Sequence, residues 1–114
     1  MIVDINSLKD IPLDKMVIIK FYASWCKPCN ECSIYFKNVS NRYKDSGIIF
    51  MQNDIKTREL ADYFNIKSLP TMIYIKNGEI VYTIEGTSVT DIVMNTKSLI
   101  TYTTSTSTNS KIIP

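Results

Sequence analysis

Residues 21–32, FYASWCKPCNEC, constrain this chain more than any other stretch. They set two cysteines around a two-residue spacer, Cys26-Lys27-Pro28-Cys29, with an apolar run ahead of them and a helical pattern behind. The run, residues 16–23 (MVIIKFYA), is rich in β-branched and aromatic side chains and is broken only by Lys20, the pattern of a strand buried on both faces. Behind the pair, Cys29, Cys32, Phe36, Val39 and Tyr43 recur at spacings of 3 and 4, which puts them on one face of a helix that must pack on the sheet. The pair therefore falls where a strand hands over to a helix. A thiol there meets free backbone N–H groups and the positive end of the helix dipole, which stabilise its thiolate. Two thiols close enough to bridge make a dithiol/disulfide switch.

The bulk properties are those of one small domain of 114 residues. The net charge is +2, from 13 basic and 11 acidic residues, without a run of five like charges, so neither nucleic acid nor an anionic membrane is expected as a partner. No secretory pattern follows Met1 and no stretch approaches the roughly 20 apolar residues of a membrane span. A reducing, cytoplasmic location is the expectation. All three cysteines fall within residues 26–32, where a bridge cannot staple distant parts of a fold, so redox or metal-binding roles come first. Histidine is absent, which removes Cys/His nucleophilic catalysis and mixed Cys/His zinc sites.

Taken in order, residues 1–5 suit a short edge strand, and Asn6-Ser7 can cap a short helix that must stop before Pro12. After the first long helix, Asp45-Ser46-Gly47 ends it and residues 48–51 begin a second buried strand, parallel to the first through the helical crossover. Residues 57–64 read as a shorter helix with Leu60, Ala61 and Phe64 on its apolar side. Asn77-Gly78, between apolar runs 72–75 and 80–84, is a strong hairpin signal because both central turn residues need positive φ. Thr87 or Ser88 then caps a last helix with apolar positions Val89, Ile92, Val93, Leu99 and Ile100. Residues 101–110 are almost all Thr and Ser and read as a flexible tail. The expected fold is α/β: a central mixed sheet, a parallel βαβ unit plus a C-terminal hairpin, flanked by helices. The domain takes residues 1–101 and the tail 102–114.

With that order in place, the chain resembles thioredoxin. The resemblance covers about residues 1–101 and rests on Phe21-Tyr22-Ala23-Ser24-Trp25-Cys26-x-Pro28-Cys29, Ile66-Lys67-Ser68-Leu69-Pro70-Thr71, Lys76-Asn77-Gly78 and Gly86. It implies a protein-disulfide reductase that cycles between a Cys26–Cys29 disulfide and a dithiol. Cys26 resembles the exposed attacking cysteine and Cys29 the buried resolving one. Trp25 resembles the flanking aromatic, Pro28 the spacer residue shaping the first helical turn, and Pro70 the cis-proline lying against the pair. Leu69 offers backbone groups to a bound peptide, and Gly86 lies at the rim of the binding surface. The same resemblance implies disulfide-containing proteins as substrates and no bound cofactor. By the same resemblance, reducing equivalents are expected from NADPH through a separate thioredoxin reductase, and the protein is expected to be a monomer serving electron transport and redox homeostasis.

Alternatives share these residues. A disulfide oxidase or isomerase has the same motifs and differs in potential. A non-enzymatic interaction module or a metal-binding adaptor is the other class, since Cys26, Cys29 and Cys32 spell CxxCxxC. Against metal, the helical stripe aims Cys32 at the sheet with Phe36, as a small buried hydrophobe. Lys20 is the departure from the family, which carries a buried acid six residues before the first cysteine to accept the resolving thiol's proton. A protonated lysine cannot act as a base, so Lys20 is expected to stabilise the Cys29 thiolate electrostatically, with its own pKa depressed or its stem carrying the charge to solvent.

Overall fold

The computed structural model describes residues 1–103. Its elements are β1 (Ile2–Asp4), a 3-10 turn (Leu8–Asp10), β2 (Met16–Tyr22), α1 (Lys27–Arg42), β3 (Ile48–Asp54), α2 (Arg58–Tyr63), β4 (Thr71–Lys76), β5 (Glu79–Glu85) and α3 (Val89–Thr101). The five strands form one sheet in the order β1-β3-β2-β4-β5. β3 runs parallel to both β1 and β2, whereas β4 is antiparallel to β2 and β5. The expected βαβ unit and C-terminal hairpin are both present, and the hairpin turn carries positive φ at Asn77 (52°) and Gly78 (77°).

Alternation along β2 explains why an unbroken apolar run was needed. Val17, Ile19 and Phe21 point into one core with Ile5, Ile11, Met51, Leu60 and Ile73, on the side of α2 and the 3-10 turn. Ile18 points into the opposite core with Phe36, Val39, Tyr74, Ile92 and Leu99, on the side of α1 and α3. A central strand covered on both faces has no polar side to show. The same alternation commits Lys20 to the α1 face, where it is 3% exposed.

The 3-10 turn and α2 are tied together by Glu59, whose carboxylate accepts from the Ser7 hydroxyl (2.9 Å) and the Leu8 backbone N–H (2.8 Å). α2 is a residue shorter at each end than the sequence suggested, with Thr57 and Phe64 as its caps. α3 differs more. Its buried positions are Ile92, Thr96 and Leu99, while Val89 and Ile100 sit at the solvent edge. Spacings of 4 and 3 from Ile92 define the face toward the sheet, and 89 and 100 fall off it. Thr96 is accommodated because its hydroxyl donates to the Ile92 carbonyl at 2.6 Å. Ser88 is the cap, accepting from the Asp91 N–H at 3.2 Å.

The far end of α3 is held by Lys76, whose ammonium donates to the carbonyls of Leu99 (2.9 Å), Ile100 (2.9 Å) and Tyr102 (2.7 Å). A cation at these carbonyls satisfies the last turn and complements the helix dipole. The Tyr102 ring packs edge-on against Tyr82, so the contacts of the domain run one residue past 101. The tail expected beyond it lies outside the described residues from 104 onward.

Candidate redox site

Strand β2 ends at Tyr22 and α1 begins at Lys27, leaving Cys26 as the helix N-cap. Its backbone is extended, and Pro28 fits the first turn because an N–H there would have no partner. Cys26 and Cys29 are bonded to each other, with Cα atoms 5.2 Å apart. The Cys29 backbone N–H also donates to Cys26 Sγ at 3.2 Å, and the Asn30 N–H to the Cys26 carbonyl at 3.2 Å. In the reduced pair, that same Cys29 N–H would face a Cys26 thiolate.

The residues singled out in the sequence do not all meet here. Trp25 stands 77% exposed beside the pair. Cys26, expected to be exposed, is only 6% exposed in the bonded form, because Ala23, Tyr22, Ile55 and Leu69 pack around the two sulfurs. Cys29 is buried, as expected. The Leu69–Pro70 bond is cis, and the Pro70 carbonyl accepts from the Gly86 N–H at 2.9 Å. Gly86 has φ +96°, which favours glycine whatever the space around it. A groove of about 500 Å³ opens beside the pair, lined by Trp25, Cys26, Pro28 and Leu69 from the predicted set. Pro70 and Gly86 are not in its lining. Lys27, Ile55, Arg58, Ile66, Lys67 and Ser68 complete it, none of them among the site residues expected from the sequence.

Cys32 is fully buried and belongs to the α1-side core with Ile18 and Phe36, while Cys26 and Cys29 form a separate cluster. It is unbridged, and burial pushes its thiol pKa up, opposed by the Lys20 charge. Among the described residues, no group of three or more His, Cys, Asp or Glu side chains could hold a metal ion.

Lys20 reaches the site indirectly. Its ammonium donates to Ser33 Oγ at 2.8 Å, and the Ser33 hydroxyl donates to the Cys29 carbonyl at 3.0 Å. The Tyr22 and Phe36 rings each lie 5.3 Å from the cation. Ser33 was legible only as the residue one helical turn beyond Cys29. Desolvation holds the Lys20 pKa below its ordinary 10.5, outweighing the opposing charges of Cys32 and Asp4. Between the folded value and 10.5, the unfolded chain keeps a proton that the folded chain has lost, so this group's contribution to stability rises with pH there. Below the folded value the cost of burying the cation is carried in full. Lys20→Met is therefore expected to be about 1–2 kcal/mol more stable than the parent at neutral pH. That gain should shrink as pH rises toward 10.5. Urea midpoints of both proteins across this range check it, and a gain that grows with pH would contradict the sign.

A mixed sheet with a bonded Cys-x-x-Cys at a strand-to-helix junction, against which Leu69 of the cis Leu69–Pro70 bond packs, defines the class of dithiol/disulfide proteins. The comparisons narrow it. The family model described as Thioredoxin matches residues 5–98. Thioredoxin-1 of Caenorhabditis elegans is 35% identical over 74 residues, 64% of this chain and 63% of that protein. Thioredoxin H4 of Arabidopsis thaliana is 30% identical over 79 residues, 69% of this chain and 66% of that one. The matched stretches thus span a little under two thirds of these relatives. The crystal structure of Schistosoma mansoni thioredoxin superposes with a TM-score of 0.75 at 31% identity, covering 85% of this chain and 94% of that one. The chain belongs to the thioredoxin family.

Proposed function

We propose that the chain is a protein-disulfide reductase of the thioredoxin type, working as a monomer in a cytoplasmic, reducing setting. The observation that carries this reading is the bonded Cys26–Cys29 pair at the N-terminus of α1, opening onto a groove flanked by the exposed Trp25. The cytoplasmic setting rests on the sequence alone, whose three cysteines all fall within residues 26–32 and so form no disulfide framework.

The cycle starts from the dithiol. The Cys26 thiolate attacks one sulfur of a substrate disulfide, the substrate S–S bond breaks, and the other sulfur leaves as a thiolate that takes a proton from water. Cys29 gives up its proton to water and attacks Cys26 Sγ, which breaks the mixed disulfide and releases the second substrate thiolate to take a proton from water. One substrate disulfide becomes two thiols, and the two electrons end as the Cys26–Cys29 bond. The pair itself stores those electrons, so the chemistry needs no bound cofactor. Recharging falls to a separate reductase drawing on NADPH.

Lys20 acts in the second step as a positioning residue. Its charge lies under the first turn of α1, bonded to the Ser33 hydroxyl that holds the Cys29 carbonyl, and it favours the thiolate of Cys29 over the thiol. Lys20→Met is expected to slow resolution of the mixed disulfide several-fold and move its pH profile to higher pH. An unchanged rate and profile would remove Lys20 from the mechanism.

The reductase reading is tested by dithiothreitol-driven reduction of a protein disulfide, where catalytic amounts of the chain should accelerate the reaction and an inactive protein would refute it. Redox titration against glutathione separates a reductase from an oxidase or isomerase. A potential near that of the protein-folding oxidants, roughly −120 to −180 mV, would overturn the reducing direction.

A further inference from the structure

The groove beside the pair carries a charge that the overall composition does not explain. The chain as a whole is nearly balanced, 13 basic residues against 11 acidic. Yet Lys27, Arg58 and Lys67 line the groove and no carboxylate does. The three cations come from three elements: the first residue of α1, the first residue of α2 and the loop ahead of Pro70. Arg58 is already committed to Asp62 at 2.7 Å. Lys27 and Lys67 are exposed and have neither an ion pair nor a side-chain hydrogen bond among the described residues. Between them lies apolar surface from Trp25, Ile55, Ile66 and Leu69.

Resting on the reductase reading, we propose that this groove selects its protein substrates by charge, taking disulfides whose cysteine has acidic residues beside it and an apolar side chain close by. Lys27 adjoins the attacking sulfur in sequence and Lys67 stands in the Pro70 loop, so a peptide crossing Cys26 through the groove passes both ammonium groups. Its carboxylates offset two unpaired cations, and its apolar side chain covers the surface between them. A basic peptide would bring like charges together, which lowers both encounter rate and affinity. The covalent chemistry is unchanged: the thiolate of Cys26 still breaks the substrate S–S bond, and the groove only decides which disulfide is presented.

The test uses two disulfide peptides that differ only in the residues flanking the cysteine, Asp in one and Lys in the other, each with a neighbouring Leu. Pre-reduced protein should react with the acidic peptide about 10-fold faster at low salt, with the gap closing near 1 M salt, where screening reaches roughly 3 Å. In the Lys27→Gln, Lys67→Gln double variant the two rates should converge. The ratio is the readout because any effect of Lys27 on the Cys26 thiolate acts on both peptides alike. Equal rates in the parent protein, or a preference that survives high salt or the double substitution, would overturn the proposal. The oxidised protein is also titrated with the same peptides carrying Ser in place of Cys, followed by the fluorescence of Trp25, the sole tryptophan. Tighter binding of the acidic peptide supports charge selection even if neither disulfide is reduced, a result that would instead refute the reductase reading. Equal binding with no reduction overturns both.

Discussion

Cys26→Ser is expected to bring disulfide reduction down to the uncatalysed background, while Cys29→Ser stops after a single event and holds its substrate as a mixed disulfide. The asymmetry follows from where the two sulfurs sit. Cys26 is the N-cap of α1, and its sulfur accepts the Cys29 N–H, so a thiolate on it is stabilised by the helix terminus. A serine hydroxyl keeps the geometry and loses the chemistry, because an alcohol stays protonated and does not displace a thiolate from sulfur. Cys29 is 1% exposed against 6% for Cys26, so it meets the substrate only through the Cys26–substrate bond. Its loss removes the release step and leaves the attack intact. Mass spectrometry after one equivalent of substrate separates the variants: Cys29→Ser gains the mass of one substrate half and Cys26→Ser gains none. Cys32→Ala provides the third arm. Its side chain lies in the α1-side core, so turnover should persist with only a loss of stability. A Cys26→Ser protein that still turns over, or a Cys32→Ala protein that does not, would move the nucleophile away from the helix N-cap.

What the sequence disclosed follows how local each feature is. The strand-to-helix position of the pair, the Asn77-Gly78 turn and the two-faced burial of β2 each depend on a few consecutive residues whose spacing carries the information. Every element appeared in its expected order for that reason. The groove is different. Ile55 follows β3, Arg58 opens α2 and Lys67 precedes Pro70, so their convergence on Cys26 depends on how three separate segments are brought to one end of the sheet. Periodicity within a segment says nothing about that. The low exposure of Cys26 in the bonded pair has a related cause, because its cover comes partly from Ile55 and Leu69, distant in sequence. At Lys20 the sequence supplied a contradiction, a charge inside an apolar run, and only packing explained it: Ser33 supplies an acceptor and two rings face the cation. In α3, Val89 and Ile100 had the right residue type on the wrong side of the stripe, while Thr96 had a polar type on the right side. Hydrophobic counting weighs residue type, whereas burial follows which face of the helix meets the sheet.

Phe21→Ala should cause the largest loss of stability of any substitution considered. Phe21 lies on β2, the strand that pairs with both β3 and β4, in register with Asn53 on one side and Thr71 on the other. It is fully buried, packs in the core with Leu60, Ala61 and Ile73, and meets the Phe64 ring edge-on with centroids 5.9 Å apart. Truncation removes the ring's transfer free energy and leaves a cavity that the sheet cannot close, because β2 is held by neighbours on both edges; together these cost about 3–5 kcal/mol. Domains of this size have only roughly 5–15 kcal/mol in total. At about 4–8 °C per kcal/mol for a domain near 100 residues, the midpoint of thermal unfolding should fall by at least roughly 12 °C. Val3→Ala, on edge strand β1 with the side chain 39% exposed, is the control and should change stability by less than about 0.5 kcal/mol. Denaturant midpoints measured on the oxidised proteins separate the two cases, and a loss below about 1 kcal/mol for Phe21→Ala would mean that the α2 side of the sheet does not form one continuous core. Because Phe21 lies one residue before Tyr22, which packs against the cysteine pair, the variant should also show slower single-turnover reduction at temperatures where it remains folded. Full activity in a strongly destabilised but folded Phe21→Ala protein would show that α1 and the Pro70 loop hold the pair without support from that core.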